Sequence, residues 1–291
     1  MEGGGGDGVE QAAAQPTLTA EDLAFLALYR ARWGGEDAAR KVTEEQEVER
    51  LRQHVLSLWR TCLAEAKVLY RCVRQLSFLR TKVDQHFHYP VVLETINAGD
   101  PSSRFLDLGC CFGTDTRRVI LDGWEQQNIV AVDVTPFFWN CGLQLYEDEA
   151  RLKLSVCIGD VTSDPEFVQS LLKEGSFAHV WTGAVLHVLS QQKVEALLAS
   201  VLVVLKNGGT YFGTCVGTTE QPKEWQPEFR NRNVAYLHTA QSLTKLLQET
   251  GFQDVVVHER SSAQHAAQRG PDADSLLPKC MLSFAATKPK A

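Results

Sequence analysis

Two glycines and an acid at one junction open the chemical reading of this chain. The run Phe105-Leu106-Asp107-Leu108-Gly109-Cys110-Cys111-Phe112-Gly113 joins a short apolar segment to glycines spaced G-x-x-x-G. A buried strand entering a glycine turn and then a helix forms a crevice for a nucleotide-like ligand. Gly109 removes a Cβ where the chain must turn and let that ligand approach, and Gly113 opens the packing of the helix. A dinucleotide site would favour G-x-G-x-x-G, because pyrophosphate needs backbone on close approach at three positions. Here the spacing differs and an acid precedes the turn.

Two more acids follow. Asp133 ends the apolar run Val130-Ala131-Val132 and precedes Val134; Asp160 stands between Gly159 and Val161. A strand-end Asp is often only a turn former or helix cap. Three acids in register across successive strands favour a ligand with ribose hydroxyls, an adenine amino group and a cationic end. S-adenosylmethionine fits that description, having no phosphate and a cationic aminoacyl end. It is the expected cofactor, with Asp107, Gly109, Cys110, Gly113, Asp133, Val134, Asp160 and Val161 as its candidate contacts. His187, in Trp181-Thr182-Gly183-Ala184-Val185-Leu186-His187-Val188-Leu189, is the candidate catalytic residue, with a packing histidine as the competing reading. His86 and His88, flanking Phe87, are weaker candidates for the same pocket. The 8 cysteines include no C-x-x-C pair, so no metal is expected and reduced thiols are the default.

These residues need elements to hold them. Thr19 can cap a helix carrying Leu23, Phe25, Leu26, Leu28 and Tyr29 and stopping at Gly34-Gly35. Leu51, Val55, Leu58, Cys62, Ala66, Leu69, Val73 and Leu76 then draw one apolar stripe down a longer helix. The basic residues between Arg71 and Lys82 alternate with apolar ones and read as its solvated face. Pro90 and the run Asn97 to Pro101 punctuate the entry to a different pattern. Strands are expected at 104–108, 128–132, 152–158, 178–182, 209–215, 255–258 and 281–286. Helices fit at 115–123, 139–149, 165–174, 191–206 and 239–250. The alternation predicts an α/β fold, a parallel sheet covered on both faces, and the Ser/Ala/Gln/Pro-rich loop 261–275 suits a closing antiparallel hairpin. The expected division is a disordered tail over 1–16, a helical cap over 17–100 and a cofactor-binding domain over 101–291.

The hydrophobic fraction of 44% and charged fraction of 22% are those of a globular chain, and the net charge of -7 argues against a nucleic-acid-binding surface. No segment reads as a secretory signal or a membrane span, so a cytoplasmic protein acting on a small molecule is expected, with the oligomeric state open.

The order of elements resembles the Rossmann-like sheet of class I methyltransferases. A closer likeness lies in Asp107 to Ile120, in Tyr70 to Leu79, and in Asp133 with Phe137-Phe138-Trp139 and Gly142 to Tyr146. Together these resemble the fungal methyltransferases of meroterpenoid and related secondary metabolism, including carboxyl O-methyltransferases acting on prenylated aromatic acids. The likeness runs from about residue 40 to 215. It implies that the glycine loop and Asp133 hold the cofactor and that the preceding helices cap the substrate. The segment Trp225 to His238 departs from the pattern, and it is expected to border the acceptor. An ionised carboxylate needs no general base, and the sequence offers no strong base constellation, which favours O-methylation of an acid. The alternatives are a protein or nucleic-acid methyltransferase, a non-catalytic S-adenosylmethionine-binding module, and a dinucleotide oxidoreductase.

Overall fold

The computed structural model describes residues 16–33, 43–173, 175–225, 234–261 and 279–290. The tail, the Gly34-Gly35 stop and nearly all of the 261–275 loop lie outside the described residues. Nine strands are described: β1 Phe105–Leu108, β2 Ile129–Asp133, β3 Ser155–Ile158, β4 Phe177–Gly183, β5 Leu205–Thr218, β6 Lys223–Trp225, β7 Ala235–Leu237, β8 Gln253–Ser261 and β9 Lys279–Thr287. Seven form one sheet in the order β3-β2-β1-β4-β5-β9-β8, and β6 pairs with β7 in a small separate ribbon. The first five pair in parallel, while β9 runs antiparallel between β5 and β8. The expected parallel sheet with its closing antiparallel hairpin is therefore present. The order reverses between β1 and β4, which opens a crevice at the carboxyl ends of the strands.

Nine α-helices accompany them among the described residues: α1 Ala20–Trp33, α2 Glu44–Glu65, α3 Arg71–Arg74, α4 Tyr89–Ala98, α5 Thr114–Leu121, α6 Pro136–Tyr146, α7 Pro165–Ser170, α8 Gln191–Val204 and α9 Ala240–Thr250. Side-chain alternation along β1 sorts them into two layers. Leu106 and Leu108 join a core with Val168 of α7, Leu198 of α8 and Leu247 of α9. Phe105 faces the other way, among Val92 of α4 and Val119 and Ile120 of α5. Asp107 shares the Phe105 side and so points at α5. The N-terminal helices α1 and α2 bury Leu26, Tyr29, Val55 and Trp59 with Phe112 of the glycine turn and Phe138 of α6. Burying a side chain of this size is worth about 1.5–3 kcal/mol, so these helices are held firmly against the glycine turn.

Beyond shifted element ends and the unexpected β6–β7 ribbon, four differences from the sequence expectations matter most. The long stripe is not one helix: α2 ends at Glu65, with Ala66 extended at ψ 124°. Leu69, Val73 and Leu76 nevertheless reach the same cluster as Leu51 and Cys62, because the chain bends back over the core instead of running past it. The basic run is accordingly not a solvated face, for Arg71 and Lys82 line the crevice. Pro90 begins a helix rather than merely interrupting one, standing in the first turn of α4, where its missing N–H costs nothing. Helix α6 starts three residues early, at Pro136, behind Thr135, whose hydroxyl accepts the Phe137 N–H at 3.3 Å, and it stops at Glu147 in left-handed conformation (φ 53°). Asp148 therefore lies beyond the helix and is free to turn inward.

Candidate cofactor and acceptor pocket

Gly109 turns the chain out of β1 at φ +84°, and a Cβ built there would stand 2.4 Å from Val185 Cγ2. Gly109 and Cys110 both donate to Val132 O, at 2.8 and 3.0 Å, which pins the loop to the end of β2. Gly113 sits at φ +67° just before α5, where a Cβ would meet Trp139 at 2.5 Å and Arg117 Nη1 at 2.7 Å. Between the glycines, Cys111 is left-handed although it carries a side chain (φ 51°), as is Ala184 after β4 (φ 64°). Such residues cost about 1–2 kcal/mol each and persist where the surroundings hold them. Here the Cys111 N–H donates to Asp133 Oδ2 at 2.9 Å and the Ala184 N–H to Thr214 O at 2.8 Å.

The three acids have different environments. Asp107 is buried, and Thr116 Oγ1 donates to its Oδ2. Burial, then the negative charge of Asp115, pushes its carboxyl up to about 7. Asp133 is buried too, and burial raises its pKa against the N–H bonds it accepts from Cys111, Thr135 and Val134. Asp160 is more open. Burial is the largest single influence and raises it, but the bonds from Thr162 and the Lys193 ammonium at 2.9 Å together outweigh that and bring it to about 2. One Asp160 oxygen holds Thr162 and the other holds Lys193. Asp160 is thus firmly a turn residue, whatever else it does.

One pocket gathers Asp107, Gly109, Cys110, Asp133, Val134, Asp160, Val161 and His187. Gly113 does not line it; it stands behind the loop against Trp139. His187 Nδ1 accepts the Val216 N–H at 3.3 Å, which places the ring proton on Nε2. Burial, followed by the charges of Arg71 and Lys279, pulls its pKa down to about 4. It is therefore a neutral donor at physiological pH. Its carbonyl accepts Trp225 Nε1–H at 3.0 Å, and the Lys279 ammonium lies 4.9 Å from the Trp225 ring centre. His86 and His88 lie elsewhere: His86 Nδ1 accepts the His88 N–H, its Nε2 bonds Gly213 O, and His88 Nε2 bonds Thr210 Oγ1. Both are packing histidines.

Several lining residues escaped the sequence reading. Asp115 accepts the Lys82 N–H at 2.7 Å and the Val83 N–H at 3.2 Å through one oxygen, and Trp181 Nε1–H at 3.1 Å through the other. It clips the cap segment to β4 across the pocket. A helix-start Asp gives no sequence sign of such a reach. Tyr70 and Arg71 enter only because the chain bends after α2. Beneath the loop, fully buried Arg117 donates to both oxygens of Asp148, at 2.7 and 2.8 Å, and to the Phe112 and Gly113 carbonyls; Tyr29 of α1 donates to the same carboxylate at 2.8 Å.

Known proteins resemble this chain over the same region. Residues 105–209 match the family model described as a methyltransferase domain. A methyltransferase of Penicillium roqueforti, adrK, is 33% identical over 136 residues, covering 47% of this chain and 48% of that one. The O-methyltransferase atr3 of Stereocaulon alpinum is 27% identical over 184 residues, covering 62% and 52%. The methyltransferase ausD of Aspergillus calidoustus is 26% identical over 210 residues, covering 72% of each. The chain spans about half the length of the first curated relatives it matches. Among the described residues no helix is long and apolar enough to cross a membrane. Residues 105–209 thus match a methyltransferase domain, and their strand order and acid-preceded glycine turn are similar to those of class I S-adenosylmethionine-dependent methyltransferases, with fungal methyltransferases among the similar chains.

Proposed function

We propose that the chain methylates an oxygen of a small molecule, with a carboxylate as the favoured acceptor. The observation that carries this reading is His187: a neutral Nε2–H donor with two cationic side chains near it, at the acceptor end of the pocket. Such a group holds an anionic oxygen in place but takes no proton from it. An alcohol or phenol would call for a base, whereas an ionised acid attacks unaided.

The residues present fit S-adenosylmethionine. Asp107 is a buried acid best satisfied by a cation, and Asp133 offers carboxylate lone pairs beyond the N–H bonds it accepts. When bound, the cofactor supplies a sulfonium methyl for in-line displacement, the carbon–sulfur electron pair leaving on sulfur. In this reading Asp133 takes the ribose hydroxyls, Asp107 and the Gly109–Cys111 backbone face the aminoacyl end, and Val134 and Val161 flank the adenine. Asp160 fixes the turn that presents Val161. His187 aligns the acceptor oxygen, and Tyr70 and Trp225 exclude water from the line of transfer. We assign residues 17–100 to the cap over this pocket and 101–291 to the domain that binds the cofactor.

Three outcomes are expected. His187→Ala should lower kcat/KM by about 10- to 100-fold through lost alignment. At saturating S-adenosylmethionine the wild-type pH–rate profile should show no loss of rate as the pH falls through 6.5; an acid limb that vanishes in His187→Ala would assign it as a base instead. Cofactor affinity should also fall as the pH drops below about 7, by up to tenfold per unit, since a proton on Asp107 competes with the cationic end. Titration calorimetry at pH 6, 7 and 8, repeated with Asp107→Asn, checks this; a pH dependence that persists in the variant excludes Asp107 as its source.

The reading as a whole is tested with methyl-labelled S-adenosylmethionine and fractionated cell extract. Label is expected in the small-molecule pool, as an ester that mild alkali cleaves to methanol. Label confined to protein or nucleic acid would overturn the acceptor class, and alkali-stable label would overturn the carboxylate.

A further inference from the structure

The aminoacyl end of S-adenosylmethionine carries an ammonium and a carboxylate on one carbon. Asp107 is assigned the ammonium, and the carboxylate needs a cation. The pocket is lined by four acids, Asp107, Asp115, Asp133 and Asp160, and by two cationic side chains, Arg71 and Lys82. A carboxylate entering the end walled by Asp107 and Asp115 is repelled unless one of those cations meets it there. Hydrogen bonds put Lys82 at that end. Asp107 pairs with Trp181 across β1 and β4. Trp181 Nε1–H donates to Asp115 Oδ2 at 3.1 Å, and Asp115 Oδ1 accepts the Lys82 N–H at 2.7 Å. The segment leading to Lys82 is fastened to the glycine turn as well. The Phe78 ring stacks on that of Phe112 with centroids 3.8 Å apart, and Thr114 Oγ1 donates to the Phe78 carbonyl at 2.6 Å. Lys82 is half-buried, and among the described residues its ammonium makes no ion pair.

We propose that the Lys82 ammonium receives the carboxylate of the cofactor's aminoacyl end, beside the ammonium held by Asp107. This rests on the reading that the pocket takes S-adenosylmethionine. The electrostatics of the pocket agree with the placement. Burial and then the Asp115 charge raise the Asp107 carboxyl, and the Lys82 charge is among the influences acting against them. Arg71 is felt elsewhere: after burial, its charge is the next influence lowering His187. The two cations therefore divide the pocket, Lys82 toward the glycine turn and Arg71 toward His187. With one fixed partner for each charge, the tail carbon has a set orientation, and the sulfonium is aimed through it. The same pair sorts ligands. A zwitterionic tail satisfies both residues, whereas a tail without its carboxylate leaves two ammonium groups side by side.

The test is calorimetry on the purified full chain with two probes, S-adenosylmethionine and its decarboxylated form, which keeps the sulfonium and the ammonium. The wild-type protein should bind S-adenosylmethionine about 10- to 100-fold more tightly, the usual worth of a hydrogen bond between charged groups. In Lys82→Met that preference should vanish: S-adenosylmethionine loses about the same factor, and the decarboxylated form binds as well or better, relieved of a like charge. Lys82→Arg should keep the preference, and so should Arg71→Met, whatever the absolute affinities of either variant. An equal loss for both probes in Lys82→Met would make Lys82 a structural residue and overturn the proposal. So would a preference that survives in Lys82→Met, or one that disappears in Arg71→Met instead. The wild-type comparison stands even where a variant fails to fold: S-adenosylmethionine bound with no preference over the decarboxylated form overturns the Lys82 assignment alone. Binding of neither probe overturns the cofactor reading, and the assignment with it.

Discussion

Replacing Asp148 by alanine is expected to cost about 3–5 kcal/mol, the penalty for leaving a buried charge without its partner. For a domain of this size that lowers Tm by on the order of 10 °C. The Arg117 guanidinium and the Asp148 carboxylate are both fully screened from solvent and bonded in a two-pronged fashion. The Tyr146 ring lies 4.2 Å from the guanidinium carbon, and Tyr29 closes the other side through its hydroxyl. Without Asp148 the charge has only the Phe112 and Gly113 carbonyls to satisfy it. Those carbonyls belong to the glycine turn, so the damage should extend to cofactor binding. Thermal denaturation of Asp148→Ala, Arg117→Met and Arg117→Met/Asp148→Leu measures the coupling. The double variant should regain much of the loss, since an apolar pair of similar volume leaves no orphaned charge. A single-variant loss under about 1 kcal/mol would show that water reaches the site.

The same network marks the boundary of what the sequence discloses. Local signals were plain: apolar runs at strand length, acids at their ends, and glycines at the turn all sit where periodicity and turn chemistry put them. These are properties of neighbours in the chain, fixed by backbone sterics and by one-sided burial. The end of α2 gave no such sign. No glycine or proline stands near Ala66, and the apolar period continues through Leu69, Val73 and Leu76 because the bent chain packs on the same core. Once that bend is missed, Tyr70, Arg71 and Lys82 are sent to solvent, and their part of the pocket wall goes with them. Asp115 and Asp148 were equally silent, since their partners are 33 and 31 residues away. For the pocket acids the sequence supplied position but not state: Asp107, Asp133 and Asp160 look alike on paper, and only burial and Lys193 separate them.

Gly109→Ala should weaken S-adenosylmethionine binding by about 100-fold, the second large effect expected. Two costs combine. A left-handed residue with a Cβ is worse than glycine by about 1–2 kcal/mol. The added methyl also falls 2.4 Å from Val185 Cγ2, and overpacking of this kind costs about 1–3 kcal/mol. Val185 cannot simply withdraw, because it follows left-handed Ala184 and lines the same pocket, two residues before His187. Pushing it aside moves that side of the pocket along with the glycine loop. The two costs separate in a double-mutant cycle. In Gly109→Ala/Val185→Ala the clash disappears and the conformational cost remains, so a coupling energy of about 1–3 kcal/mol in favour of the double variant is expected, read by calorimetric affinity and by thermal stability alike. Strict additivity would mean that the turn relaxes around the methyl, and that glycine stands there for its backbone freedom alone.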